Sequence, residues 1–369
     1  MLRRQFFELL RSGLWGYIAD SNMFVDTIVD WESIWRLSKE QAVVGIVYEG
    51  VMTLPEPLRS KDLFQWQYIT IKIEEINKFQ LDELSNIIEK LTEKGVTPLL
   101  LKGHGIAQYY LNPYRRQSGD IDLFSNKEDY KKINEALIEM GATQSGTESI
   151  KHSAFCLNKV DIENHKTSCS MHSPRNRKKW YVFEKEELKA GDEYLKLPSN
   201  SIRIPSVDFN TCYIFDHAFH HLLRGGIGLR QFCDWARFIY VNRERINREK
   251  VIQTLENLGL LQAASLFEEF LVEYLGFPSE RRLFDKFEDK SILDNLLEDI
   301  ILAGNFGHYD NRKYHVNGFF KKKLNNFRIN KIRQKKYSSV SGPEAKWMQS
   351  FSIFLNIYEV LFKIRARFS

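Results

Sequence analysis

One run of nine residues constrains this chain more than any other feature: residues 116–124 are Arg-Gln-Ser-Gly-Asp-Ile-Asp-Leu-Phe. Side chains alternate between the two faces of an extended chain, so Asp120 and Asp122 share one face while Ile121 and Leu123 share the other. The apolar face needs a core to bury it, and the opposite face brings two carboxylates together. The run therefore predicts a strand with one face in an apolar core and a pair of acids on the other.

This pair of acids indicates a metal site. Two carboxylates that point at one place repel each other, and divalent cations between them relieve the repulsion. Magnesium prefers hard oxygen ligands, and it commonly uses one or two carboxylates together with the phosphates of a substrate. Asp120 and Asp122 are therefore candidate ligands of a cation that also binds phosphate.

A lysine-glycine turn precedes the acidic strand. Residues 97–101 form a short apolar stretch that predicts a buried strand, and residues 103–110 carry apolar side chains at helical spacing. The turn between them, at Lys102, Gly103 and His104, is expected to leave free amides at the start of a helix. Hydrogen bonds and the helix dipole favour a phosphate group at such a position. The sequence therefore predicts a phosphate-binding turn one helix before the acids.

This order of elements resembles that of the polymerase-beta-like nucleotidyltransferase superfamily. A closer resemblance is to a branch of uncharacterised bacterial nucleotidyltransferases, in which a Leu-Lys-Gly turn is followed by an Arg-x-x-Gly-Asp-Ile-Asp-Leu strand. The chain matches that pattern at Leu101, Lys102, Gly103, Arg116 and residues 119–123. The resemblance implies an α+β fold with a small mixed-sheet nucleotidyltransferase core, flanked by N-terminal and C-terminal helical regions.

The resemblance also implies a third carboxylate on a neighbouring strand. In this branch that strand ends in Glu-x-His, which maps onto Glu163 and His165, while Asp161 lies on the same predicted face and is a substitute candidate. Asp120, Asp122 and Glu163 are then the expected catalytic residues and the expected ligands of Mg²⁺ or Mn²⁺. His165 is expected either to orient a ligand or to be a satisfied histidine at a strand end.

An NTP is the expected substrate, and the residues expected to contact it are Lys102, Gly103, His104 and Arg116. The alternative for Lys102 is a solvated lysine at a strand end, and the alternative for Arg116 is a salt bridge to one of the two acids. The turn departs from the broad superfamily, because many members have Ser or Gly where His104 stands. The spacing from the turn to the first acid is also longer than in most members.

The implied function is metal-dependent transfer of a nucleoside monophosphate from an NTP to an unidentified acceptor. One variant of it is a toxin-like transferase that modifies tRNA or protein. The alternative is an inactive protein of the same fold that binds nucleic acid or another polyanion through a basic stripe. Residues 311–336 contain ten Lys or Arg and no acid, which is typical of such a stripe. Its expected contacts are Arg312, Lys313, Lys321, Lys322 and Lys323.

With 369 residues the chain exceeds the usual size of a single core. The pattern of elements divides it into an N-terminal helical region (1–95), a nucleotidyltransferase core (96–204) and a C-terminal helical domain (205–369). Further expectations are helices at residues 31–48, 61–94 and 127–140, a hairpin turn at Asn158 and Lys159, a basic loop at 173–179, and a final apolar helix at 351–362 that docks onto the helical body.

Two pairs of residues in the C-terminal region allow more than one interpretation. His217 and His221 lie one helical turn apart, which fits a metal-binding pair but also fits packed or substrate-facing histidines. Arg230 and Asp234 are expected either to face the cleft or to form a structural ion pair.

The four cysteines include no Cys-x-x-Cys pair, so neither structural zinc nor a disulfide framework is expected. No apolar run approaches the roughly 20 residues of a membrane span. The basic N-terminus is not followed by the apolar core of a signal peptide. We therefore expect a cytoplasmic protein with no transmembrane segment.

Overall fold

The computed structural model describes residues 1–145, 151–190, 193–313 and 318–350. Helices surround one mixed β-sheet, which confirms the predicted α+β fold. The α-helices are α1 (Leu2–Trp15), α2 (Trp31–Glu40), α3 (Val44–Thr53), α4 (Leu63–Glu93), α5 (His104–Ala107), α6 (Lys127–Glu139), α7 (Pro174–Ala190), α8 (Val207–Arg224), α9 (Leu229–Asn242), α10 (Arg248–Leu258), α11 (Leu261–Leu275), α12 (Lys290–Ala303) and α13 (Phe319–Lys336). The strands are β1 (Leu99–Leu100), β2 (Ile121–Phe124), β3 (Thr143–Gln144), β4 (His152–Leu157), β5 (Val160–His165), β6 (Glu193–Lys196) and β7 (Ser201–Ile204). The helix predicted at 351–362 lies outside the described residues.

The sheet has the strand order β3-β4-β5-β2-β1-β7-β6, so the acidic strand β2 is central. β2 runs antiparallel to β1 and parallel to β5, and its register pairs Asp122 with Glu163. β4 and β5 form the predicted hairpin. Its turn residues, Asn158 and Lys159, have φ angles of 50° and 69°, as a type I′ turn requires. The sheet therefore places a carboxylate of β2 beside a carboxylate of β5.

Two apolar clusters stabilise the fold, and α4 contributes to both. Ile121 and Ile162 of the sheet pack with Ile87 in the second half of α4. Trp66, in the first half of α4, belongs to a larger cluster that also contains residues of α1, α3, α8, α9, α11 and α12. Burying an aliphatic or aromatic side chain of this size stabilises a fold by about 1.5–3 kcal/mol. The N-terminal and C-terminal helices therefore share a core, and α4 joins that core to the sheet.

The same helix fixes the chain just before the acids. The Asn77 side-chain amide donates hydrogen bonds to the carbonyls of Tyr114 at 2.6 Å and Arg116 at 2.8 Å. Gln80, one turn later, donates to the carbonyl of Gly119 at 2.8 Å. Buried carbonyls need such partners. These bonds therefore set the path by which the chain enters β2.

Two helix predictions hold and two fail. The helices predicted at 61–94 and 127–140 are confirmed as α4 and α6. The helix predicted at 31–48 is two helices, because Ala42 between α2 and α3 has a φ of 56°, which an α-helix cannot contain. The helix predicted at 103–110 shortens to the four residues of α5.

The prediction of a loop at residues 173–179 is wrong, because helix α7 begins at Pro174. Ser173 accepts a hydrogen bond from the backbone N–H of Asn176 at 3.4 Å, and Pro174 is the first helical residue. Serine before a helix and proline at its first position are both favoured. The Ser-Pro pair was therefore the signal for a helix start. Within the described residues, no helix combines the length and apolar character needed to cross a membrane.

Candidate metal centre

Three carboxylates meet at the start of β2. Asp122 lies in β2, Glu163 is its register partner in β5, and Asp120 directly precedes β2. One oxygen from each side chain lies within 4.8 Å of the other two. Asp122 is buried, Glu163 is half-buried and Asp120 is exposed. Three hard oxygen donors at this spacing fit a divalent cation such as Mg²⁺ or Mn²⁺.

His165 contacts two of these acids. Its Nε2 atom lies 2.7 Å from Asp122 Oδ1 and 3.2 Å from Glu163 Oε2. Burial lowers the pKa of His165, but the hydrogen bonds to Asp122 and Glu163 outweigh it and leave the pKa raised. An imidazole that bridges two carboxylates orients both.

Lys102 is the second basic residue beside Asp122. Its Nζ lies 3.2 Å from Asp122 Oδ1 and 3.2 Å from Nε2 of His217 on α8. Burial raises the pKa of Asp122, but Lys102 and His165 reverse this and hold the pKa well below its usual range. The pKa of Asp120, in contrast, is raised, because the protein around its otherwise exposed side chain partly desolvates the carboxylate and because Asp122 is negatively charged. The two acids of the motif therefore differ electrostatically.

Asp161, the substitute candidate, lies on the same face of β5 as Glu163 but nearer the hairpin turn, and it is exposed. It lines an open cavity of about 500 Å³ together with Asp120 and Glu163. Among the described residues, Glu163 belongs to two clusters of possible metal ligands, whereas Asp161 belongs to none.

His152 is a residue that sequence reasoning missed. Its Nε2 lies 3.5 Å from Glu163 Oε1, on the side away from Asp122. The signal was present in the predicted hairpin, because a two-residue turn at Asn158 and Lys159 sets His152 of β4 opposite His165 of β5.

The Lys-Gly turn has the shape that only glycine adopts without strain. Gly103 has φ 58° and ψ −117°, in a region that side chains other than hydrogen disfavour. The His104 side chain is buried, and its Nε2 lies 3.0 Å from Oε1 of Gln80 in α4. Because α5 has only one turn, its dipole is much smaller than the predicted helix would provide. Phosphate binding at this turn would therefore depend mainly on Lys102.

Arg116 forms a buried ion pair with a partner that the sequence did not indicate. Its guanidinium donates two hydrogen bonds of 2.7 Å to the carboxylate of Asp234 in α9. Tyr110 donates a third hydrogen bond to the same carboxylate, at 2.7 Å. Arg230, one turn before Asp234, donates to the carbonyl of Gln117 at 2.8 Å. Helix α9 is thereby fastened to the segment that leads into the acids.

A cavity of about 400 Å³ opens on the acids from the side of α8. Its wall carries Lys102, Lys151 and Arg224, which give it a positive lining. His217 and His221 also line it, with ring centroids 4.4 Å apart. Burial lowers the pKa of both, to about 3 for His221, so these two rings are neutral near pH 7. Both rings face the cavity.

The basic stripe is partly used inside the fold. Arg312 pairs with Asp310 at 2.8 Å, and Lys313 donates to the carbonyls of Gly225 and Gly307 at 2.7 and 3.0 Å. Lys321 and Lys322 are exposed on α13, and Lys323 is half-buried. Two of the five expected contacts therefore stabilise the fold itself.

Residues 27–276 match a protein family described as uncharacterised nucleotidyltransferase. The matched region includes the whole sheet, the three carboxylates, the Lys-Gly turn and helix α9. No curated protein and no solved structure matches the chain.

Proposed function

The chain belongs to this family of uncharacterised nucleotidyltransferases, and we propose that it transfers a nucleoside monophosphate from an NTP to an acceptor at the cluster of Asp120, Asp122 and Glu163. The observation that carries the proposal is the meeting of these three carboxylates on the parallel strands β2 and β5. These residues would hold Mg²⁺ or Mn²⁺, which supplies charge neutralisation on the phosphates and activation of the attacking oxygen.

The basic side chains at the cluster support a phosphoryl-transfer role. Lys102 and His165 both contact Asp122. When a phosphate group enters, Lys102 is within reach to exchange part of its contact with Asp122 for a phosphate oxygen. His165 keeps Asp122 and Glu163 oriented, and Glu163 is placed to accept the proton of an attacking hydroxyl.

The remaining nucleotide-binding candidates receive indirect roles in this proposal. Gly103 permits the turn that places Lys102 beside Asp122. His104 holds that turn against Gln80, and Arg116 holds the lead-in segment against Asp234. Both are positioning residues, because their polar side-chain atoms are already engaged with other parts of the fold.

The cavities around Asp120 support separate places for the two substrates. The positively lined cavity of about 400 Å³ and the open cavity of about 500 Å³ both have Asp120 and Glu163 in their walls. We propose that the triphosphate occupies the first, where Lys102, Lys151 and Arg224 offer positive charge. The acceptor then approaches from the second.

Label transfer from NTPs tests this proposal. The protein is incubated with each α-³²P-labelled NTP, Mg²⁺ or Mn²⁺, and separate cell fractions of RNA, protein and small molecules. The proposal predicts label on one class of acceptor, release of pyrophosphate, and loss of both with Asp120→Asn. Asp161→Asn is the matched control and is expected to retain transfer. Unlabelled acceptors in every fraction would argue against the proposal.

The alternative of an inactive polyanion-binding protein makes a different prediction. Binding through the stripe would weaken steeply with added salt and would be unaffected by Asp120→Asn. Arg312 and Lys313 are already held by Asp310 and by backbone carbonyls, which leaves the exposed Lys321 and Lys322 to carry such binding.

A further inference from the structure

The hairpin of β4 and β5 brings a second group of metal-ligand side chains to the cavity wall. His152 and His165 are direct register partners across the hairpin, and their ring centroids are 5.1 Å apart. Glu163 lies two residues before His165 on the same face of β5. Its Oε1 lies 3.5 Å from His152 Nε2, and its Oε2 lies 3.2 Å from His165 Nε2. Two histidines and one carboxylate thus converge.

The spacing of these donor atoms matches that of a first coordination shell. Two ligand atoms about 2.1 Å from a tetrahedral metal ion are separated by about 3.4 Å. Each of the two Glu163 oxygens lies near that separation from one histidine, at 3.2 and 3.5 Å, and one ligand atom from each of the three residues lies within 4.8 Å of the other two. A cation could therefore enter with small side-chain rotations.

The chemistry of the donors differs from that of the three carboxylates. Imidazole nitrogen favours ions such as Mn²⁺, Co²⁺, Ni²⁺ and Zn²⁺ over Mg²⁺, which prefers oxygen. The group also has an entry path, because all three residues line the cavity of about 400 Å³. The His152 and Glu163 side chains are 29% and 26% exposed, so the cavity leaves room for a water or substrate oxygen as a further ligand.

We infer that His152, Glu163 and His165 form a binding site for a transition-metal dication. This site lies beside the cluster of Asp120, Asp122 and Glu163 and shares Glu163 with it. The site does not depend on the proposed transfer, because the register of the hairpin of β4 and β5 brings its three side chains together. It predicts that the nucleotide-free protein binds Mn²⁺ or Zn²⁺ more tightly than Mg²⁺.

Metal binding to the nucleotide-free full chain tests the inference directly. Equilibrium dialysis against Mn²⁺, Zn²⁺ or Mg²⁺ gives the affinity, and pulsed electron paramagnetic resonance of bound Mn²⁺ detects coupling to an imidazole nitrogen. Wild type is expected to show that coupling. Loss of even an outer-shell group commonly costs about 10–100-fold in metal affinity, so His152→Ala is expected to weaken Mn²⁺ or Zn²⁺ binding by about tenfold or more.

Two further variants separate this site from its neighbours. His221→Ala removes a histidine from the same cavity wall but not from the group, and it is expected to retain both affinity and nitrogen coupling. Asp120→Asn is expected to lose metal-dependent NTP binding while it keeps the nitrogen coupling. Absence of nitrogen coupling in wild type, or its loss with His221→Ala and not with His152→Ala, would overturn the inference. The separate proposal that Asp120, Asp122 and Glu163 bind an NTP together with a metal ion would not be affected.

Discussion

The guanidinium of Arg116 and the carboxylate of Asp234 form a two-point ion pair, with both N···O distances at 2.7 Å. The two residues are 118 positions apart, and both are buried. One belongs to the lead-in of the acidic strand and the other to α9. The pair therefore ties the candidate metal centre to the C-terminal helices.

Removing one partner of this pair is expected to destabilise the protein strongly. Asp234→Asn leaves a buried guanidinium without its counter-charge, and such changes typically cost about 3–5 kcal/mol. Urea denaturation at pH 7 measures the loss. The matched control is Arg3→Ala, which breaks the exposed pair with Glu298 and is expected to cost at most about 1 kcal/mol. Equal losses in the two variants would contradict the structural role given to Asp234.

The two acids of the motif are expected to respond oppositely to neutralisation in metal-free buffer. Asp122→Asn removes a charge that Lys102 and His165 contact, so it should lower the free energy of unfolding by about 1–3 kcal/mol. Asp120→Asn removes a carboxylate whose pKa is raised, so its stability should equal or exceed that of wild type.

Denaturation with a chelator present checks this contrast, with Asp161→Asn as a neutral reference. If Asp120→Asn were the less stable of the two motif variants, the electrostatic description of the site would be wrong.

A side chain at position 103 is expected to strain the turn. An alanine Cβ there would contact only the carbonyl oxygen of Asp120, at 3.5 Å, so the penalty of Gly103→Ala comes from its backbone angles. Such conformations cost about 1–3 kcal/mol. Gly119→Ala is the matched control, because a Cβ there would meet nothing within 4 Å. Thermal denaturation of both variants should show a lower midpoint for Gly103→Ala alone.

The stability conferred by His220 should depend on pH. Its Nδ1 lies 2.9 Å from Asp216 Oδ1 and its Nε2 lies 3.5 Å from Glu344 Oε2. Burial lowers its pKa, but these carboxylates raise it to about 9 from the ordinary 6.5. The charged imidazole therefore stabilises the fold fully below pH 6.5, and this contribution, about 3 kcal/mol, disappears between pH 6.5 and 9.

We expect the stability difference between wild type and His220→Gln to shrink over that range in urea titrations. His104→Gln is the contrast, because burial lowers the pKa of His104 to about 3. The stability difference between wild type and His104→Gln should be constant above pH 6.5, where the His104 ring is neutral in the folded and the unfolded protein. A His220→Gln difference that did not change with pH would indicate that the imidazole is uncharged in the folded protein.

Local patterns allowed the sequence to predict the central elements of the site. Alternation of polar and apolar residues identified β2, and the Asn158 and Lys159 turn identified the hairpin that carries Glu163. The meeting of Asp122 and Glu163 followed from the resemblance, and the parallel register supplies its physical basis.

The contacts that could not be predicted are those between distant segments. Nothing near Arg116 indicates that its partner is Asp234, and nothing near Lys102 indicates that it lies between Asp122 and His217. The sequence pattern also does not distinguish the electrostatic environment of Asp120 from that of Asp122. Their different pKa shifts arise from burial and from partners that only the folded chain brings together.

The most direct test of the central claim is calorimetric titration with each of the four NTPs, with and without Mg²⁺ or Mn²⁺. It compares wild type with Asp120→Asn and Asp161→Asn, two acids that line the same cavity. We expect metal-dependent binding of at least one NTP to wild type and Asp161→Asn, and its loss in Asp120→Asn. Binding that is independent of metal, unchanged by Asp120→Asn, or absent for every NTP would contradict it.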